Sequence, residues 1–83
     1  MHYVYVLRSK ESEKFYIGST GNIERRITEH KKGEGHTSSR MKDPELVFYE
    51  AFFDKKDSLR RERYFKTTKG RSSLRQILRE SIK

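Results

Sequence analysis

The 83-residue chain is predicted to be one α+β domain, a three-stranded sheet flanked by helices in the order ββαβαα. Three observations predict it. Three short runs rich in aromatic and β-branched residues have the length of strands. Three other segments carry apolar residues at helical spacing, with capping residues before them and glycine after two of them. Polar, glycine-containing breaks separate the segments.

His2 to Leu7 reads as the first strand. Both of its parities are apolar, which predicts a sheet covered on both faces. Ser9 to Glu13 has the length of a hairpin loop, and Phe15 to Ser19 forms the second strand. Directly opposed residues in an antiparallel hairpin share a face. A register pairing Tyr5 with Tyr16 sets Tyr3 opposite Gly18. Tyr3, Tyr5 and Tyr16 then project from one face, and Val4, Val6, Phe15 and Ile17 from the other. A slip of one residue would separate Tyr5 from Tyr16. The tyrosine face reads either as an aromatic cross-strand cluster or as the lining of a site. Gly18 favours the second, because glycine within a strand often marks close approach of a ligand or another backbone.

Asn22 is placed to cap a helix running to about Lys32 and stopped by Gly33. Ile23, Arg26, Ile27 and His30 fall on one side of it. An inward arginine requires an anion, unless its stem packs while its head reaches solvent or it forms a structural ion pair. Both readings of Arg26 stay open, and His30 reads equally as a satisfied core histidine. The loop from Gly33 to Asp43 is long enough to suggest function. In it His36, Ser38, Ser39 and Arg40 are candidate phosphate donors, and Lys42 adds a charge.

The third strand is expected from Glu45 to Phe53, with both parities again apolar and helices on both sides. Asp57 or Ser58 is expected to cap the second helix, which Gly70 stops. Leu59 and Phe65 mark its buried side with Glu62 between them. Glu62 is the one acid that helical spacing sets on an apolar stripe, and a salt bridge to Arg60, Arg61 or Arg63 is the alternative reading. Leu74, Ile77, Leu78 and Ile82 form a last amphipathic helix capped near Ser72 or Ser73, with Arg71, Arg75 and Arg79 outside.

Composition limits the function. Hydrophobic residues make up 31% of the chain, so five Tyr and five Phe must supply much of a thin core. The absence of cysteine excludes disulfides and thiolate metal sites, and makes a cytoplasmic location the expectation. No run has transmembrane length and no secretory signal opens the chain, so no membrane role is expected. The formal charge of +8 points to a polyanion partner, with solubility alone as the other reading. No Ser-His-Asp set, phosphate-binding glycine loop or carboxylate pair competes with the tyrosines, Arg26, His30 and Glu62.

With these residues the chain resembles the GIY-YIG nuclease family over nearly its whole length. Tyr3-Val4-Tyr5 matches the first tripeptide of the name and Tyr16-Ile17-Gly18 the second. Arg26, within Asn22-Ile23-Glu24-Arg25-Arg26-Ile27, stands at the family's arginine, and His30 at the histidine one turn later. Glu62, within Arg61-Glu62-Arg63-Tyr64-Phe65, stands at its metal-binding glutamate. Tyr3 replaces the first glycine of the name, a departure that would narrow the site. The likeness is to small single-domain members, related to the nuclease part of bacterial excision repair and to homing endonucleases. It implies a three-stranded antiparallel sheet and a stand-alone module spanning residues 1–83.

The resemblance also implies metal-dependent hydrolysis of DNA phosphodiester bonds, in repair, recombination or processing. Glu62 would hold one Mg²⁺ or Mn²⁺ that keeps most of its waters and stabilises the departing sugar oxygen. Arg26 would bind non-bridging phosphate oxygens. Tyr5 would help activate the attacking water. As a general base it would need nearby cations, since a free phenol has a pKa of about 10. Tyr16 and His30 would orient water or assist proton transfer. Tyr3, Gly18, His36, Arg40 and Lys42 are expected to contact nucleic acid. A non-catalytic nucleic-acid-binding module of the same fold is the alternative, although binding alone needs no buried acid. A protein-interaction domain with an incidental basic surface is a third reading.

Overall fold

The structure, a computed structural model, describes residues 1–9, 14–32 and 44–82. Strands β1 (His2–Ser9) and β2 (Phe15–Thr20) precede helix α1 (Ile23–Lys31); β3 (Pro44–Phe52), α2 (Lys55–Phe65) and α3 (Thr68–Ile77) follow. The sheet runs β2-β1-β3 with both pairs antiparallel, so the expected class and element order hold.

Central β1 explains the doubly apolar pattern at its own positions. Val4, Tyr5, Val6 and Leu7 are all 1% exposed or less. Strand β3 departs from expectation. It is an edge strand, and Tyr49 (54% exposed) and Phe53 (91%), one residue past its end, face solvent. Apolar parity alone does not separate a central strand from an edge strand whose outer face is open. Helix α1 has nine residues, about 14 Å at 1.5 Å per residue, too short to cover a whole sheet face.

The hairpin register also differs, by two residues. Tyr5 pairs with Gly18, Leu7 with Tyr16 and Tyr3 with Thr20. A shift of two preserves parity, so Tyr3, Tyr5 and Tyr16 still share a face. Opposing Tyr5 to Gly18 gives the large ring room that a second phenol would have taken. Between β1 and β3 the register slips at Val6 and Leu7, which face Phe48 and Leu46. Val47 is the extra residue of this bulge.

On the Val4 face lies the core: Val4, Val6, Ile17, Phe65, Leu74 and Leu78, with Phe15, Val47, Phe48, Phe52, Tyr64 and Ile82 packed against it. Helix α2 starts earlier than expected, with the Asp54 carboxylate accepting from the Lys56 amide. Ser58 and Phe65, two turns apart, point inward. Leu59, expected inside, is 36% exposed, because it is turned about 120° from Phe65. Arg61 and Glu62 flank the buried line on opposite sides. Arg61 binds Glu50 of β3 at 2.8 and 3.3 Å, its guanidinium 4.4 Å from the Phe65 ring centre. Glu62 turns toward β2.

Gly70 does not stop α2, which ends at Phe65 with Lys66 as cap. It lies buried in the first turn of α3, where a Cβ would run into the Tyr64 carbonyl. Close approach of two helices is why glycine stands there. Thr67, not Ser72 or Ser73, caps α3 by accepting from the Gly70 amide at 3.0 Å. Leu74 and Leu78 are buried as expected, but Ile77 is 49% exposed.

Candidate functional site

Tyr5, at the centre of the sheet, organises the site. Its partner across the hairpin has no side chain, so its ring lies over Gly18. The Asn22 side chain accepts from the Arg25 amide and starts α1. Two turns later this helix delivers His30, 3% exposed, against the tyrosines. Tyr5 Oη and His30 Nε2 are 2.9 Å apart. Tyr16 completes the cluster, its ring centre 5.1 Å from His30 and 6.4 Å from Tyr5.

Electrostatics favour the neutral form of both partners in this bond. Burial pushes the Tyr5 phenol well above the ordinary tyrosine range, and the Tyr16 phenol and Glu62 add to the effect. The Arg26 guanidinium, within hydrogen-bonding reach of the phenol, pulls the other way. Burial also lowers His30, as does the nearby Arg26, against an opposing contribution from Glu29. The phenol therefore donates to Nε2 in the imidazole tautomer protonated at Nδ1, and accepts in the other.

Arg26 satisfies both of its sequence readings in part. Its side chain is 41% exposed, with Nη1 3.4 Å from Glu29 Oε1. The stem lies along the buried line of α1 while the head sits at the rim beside Tyr5. Thr20, Gly21, Asn22, Arg25, Arg26 and Glu29 line an open groove there. The N-cap turn of α1 forms one wall, and arginines form the other.

Glu62 reaches this region from the opposite layer. Ser19 pairs with Val4 and so faces α2, while its neighbours Gly18 and Thr20 face the tyrosines. Ser19 Oγ donates to Glu62 Oε1 at 2.8 Å, and Lys66 Nζ to Oε2 at 2.9 Å. Of the three expected arginine partners, Arg60 pairs with Asp57 and Arg61 with Glu50. Tyr5 Oη lies against Gly18, and Glu62 is bound at the next residue along the same edge strand. The acid thus stands at the rim of β2, one residue along from Gly18, and its charge is felt at the Tyr5 phenol.

The donor set at Glu62 fits a hydrated divalent ion. One carboxylate beside a hydroxyl suits magnesium, which keeps most of its waters. Among the described residues no three His, Cys, Asp or Glu side chains converge as a metal cage. Lys66, half exposed, pairs with the second Glu62 oxygen, the one that Ser19 does not bind.

Of the other expected contacts, Tyr3 is half-buried beside Tyr49, and Gly18 underlies Tyr5. His36, Arg40 and Lys42 lie outside the described residues, as does Gly33. Sequence reading did not single out Ser19, Lys66 or Tyr49. Lys66 was accessible in principle, four residues after Glu62 on one helix. Ser19 required the packing of α2, and Tyr49 required the strand order.

A sheet with paired tyrosines, an arginine and a histidine on one face, and Glu62 at its rim, carries the residues of the GIY-YIG resemblance. The chain belongs to the GIY-YIG family: the model of the GIY-YIG catalytic domain matches residues 1–75. This is a family of nucleases that act on DNA. The chain is 39% identical to a UPF0213 protein of Clostridium perfringens, over 100% of this chain and 89% of that one. It is 46% identical to a UPF0213 protein of Natronomonas pharaonis, covering 80% of this chain and 78% of the other. The solution NMR structure of a UPF0213 protein from Bacillus halodurans is similar with a TM-score of 0.57 at 32% identity, covering 92% of this chain and 83% of that chain. Among the described residues no helix is long and apolar enough to cross a membrane.

Proposed function

We propose that this protein is a divalent-metal-dependent DNA endonuclease of the cytoplasm, serving DNA repair, recombination or processing. The observation that carries the reading is the gathering of Tyr5, Tyr16, Arg26, His30 and Glu62 along the rim of β2 from four separate elements. Binding alone gives no reason to hold a carboxylate at that rim.

In this reading the scissile phosphate enters the groove beside Arg26, whose planar fork takes two non-bridging oxygens. Glu62, with Ser19 donating to one of its oxygens, would hold Mg²⁺ or Mn²⁺. Such an ion, when bound, stabilises negative charge on the departing sugar oxygen. Tyr5 is a buried neutral phenol, so it acts as a relay rather than a standing phenolate. Its oxygen accepts a proton from the attacking water as its own proton passes to His30 Nε2, in the tautomer with that nitrogen unprotonated. Tyr16 packs against both rings and keeps them in register.

The test is a cleavage assay on purified protein with single-stranded, duplex, flapped and branched DNA, with Mg²⁺, with Mn²⁺ and with a chelator. Cleavage only with a divalent ion supports the reading. DNA binding without cleavage under every metal condition would replace it with the non-catalytic module.

A further inference from the structure

We infer that Tyr49, braced by Tyr3, is a platform on which an unpaired base stacks, so that the substrate class is DNA with unpaired nucleotides close to the cleaved bond. The inference rests on the Tyr5 region being the catalytic site. Tyr49 lies in the middle of β3, yet it is 54% exposed. In a chain with so thin a core, an aromatic ring left open at mid-strand forgoes burial worth having. Its position is fixed. Tyr49 is the direct cross-strand partner of Tyr5, so both side chains leave the same sheet face. The Tyr3 ring meets it edge-on, with centres 6.0 Å apart and planes at 63°, which holds the ring without a stacked partner of its own.

Tyr49 stands one strand from Tyr5, and the Arg26 guanidinium sits beside the Tyr5 phenol, so phosphate and platform lie within the span of a few nucleotides. A strand whose phosphate rests at Arg26 therefore brings a base over Tyr49 within a few nucleotides. The overall charge of +8 complements that backbone. In intact duplex the bases are already stacked on one another, and Tyr49 has no face to bind. Unpaired bases of any identity offer one, so the platform selects DNA structure and not sequence.

The experiment uses the full chain in chelator, where no cleavage occurs, with flapped and gapped DNA carrying 2-aminopurine at the unpaired positions. Wild-type protein is expected to quench the probe and to bind these forms about tenfold or more tightly than matched duplex. Tyr49→Ala is expected to lose quenching and roughly 5- to 100-fold of that affinity, with duplex binding unchanged. Tyr49→Phe, which keeps the ring, retains both. Equal binding of duplex and flap by the wild type, or equal loss on both with Tyr49→Ala, would overturn the platform. Circular dichroism establishes that each variant is folded. Cleavage measured separately with Mg²⁺ keeps the two readings apart. Quenching without cleavage removes the nuclease and leaves the platform; cleavage without quenching does the reverse.

Discussion

The ring of Tyr5 occupies the space that any side chain on Gly18 would need: a Cβ there would stand 2.5 Å from Tyr5 Oη and 2.7 Å from its Cζ. Tyr5 is 1% exposed, so its ring has little room to yield. Gly18→Ala is therefore expected to push the phenol off its bond to His30. Urea unfolding should show a loss of about 1–3 kcal/mol, the usual cost of overpacking. Cleavage should fall on the order of 100-fold, as displacements near 1 Å do in catalytic sites. Wild-type stability and rate in this variant would show that Tyr5 does not depend on Gly18.

Tyr5 should keep its proton in alkali. Burial, with Tyr16 and Glu62, raises it above the ordinary value of 10.0. Alkaline titration followed by phenolate absorbance should show a late step beyond that value for as long as the fold survives. Tyr5→Phe should remove the late step, and it should cost about 1–3 kcal/mol by taking from buried His30 this partner. Five phenols ionising together in the folded chain would contradict the buried relay.

His30 gives stability a dependence on pH with a defined sign. Its folded value lies below the ordinary 6.5, so below that pH the unfolded chain binds the extra proton more readily. Stability should be complete above pH 6.5 and decline as pH falls through it, levelling off once the folded histidine also protonates. Thermal unfolding of wild type and His30→Gln across this range checks it, with the acid loss smaller in the variant. A wild-type melting curve indifferent to pH around 6.5 would show that burial does not hold His30 neutral.

Positive charge should set affinity through counterion release. If about four lysines and arginines reach phosphates, log affinity falls against log salt with a slope of about −3.6. Tyr49→Ala should leave that slope unchanged, because it removes stacking and no charge. A nearly flat salt dependence would show that the +8 excess does not meet DNA.

Much of this was legible in the sequence, for reasons that can be named. Tyr3, Tyr5 and Tyr16 shared a face under the expected register and under the real one, since parity survives a shift of two. Arg26 and His30 came one turn apart from helical spacing, and Asn22 capped their helix as read. What apolar parity does not carry is how far each face is covered, and Tyr49 stays open on β3 for that reason. Gly70 reads as a stop in the sequence because a stop and a close helix contact both call for glycine. Glu62 was found by its position between apolar residues, but its partners Ser19 and Lys66 follow from where α2 packs and how the lysine turns.

Whether Arg26 and Glu62 act on one phosphate from different layers of the fold is tested most directly by cleavage of flapped DNA with Arg26→Ala and Glu62→Ala. Both variants are purified, shown to be folded, and assayed with Mg²⁺ beside the wild type. Each substitution alone is expected to lower cleavage by roughly 100-fold or more, while Glu62→Ala still binds DNA. Divalent-dependent cleavage at the wild-type rate in both variants would contradict this.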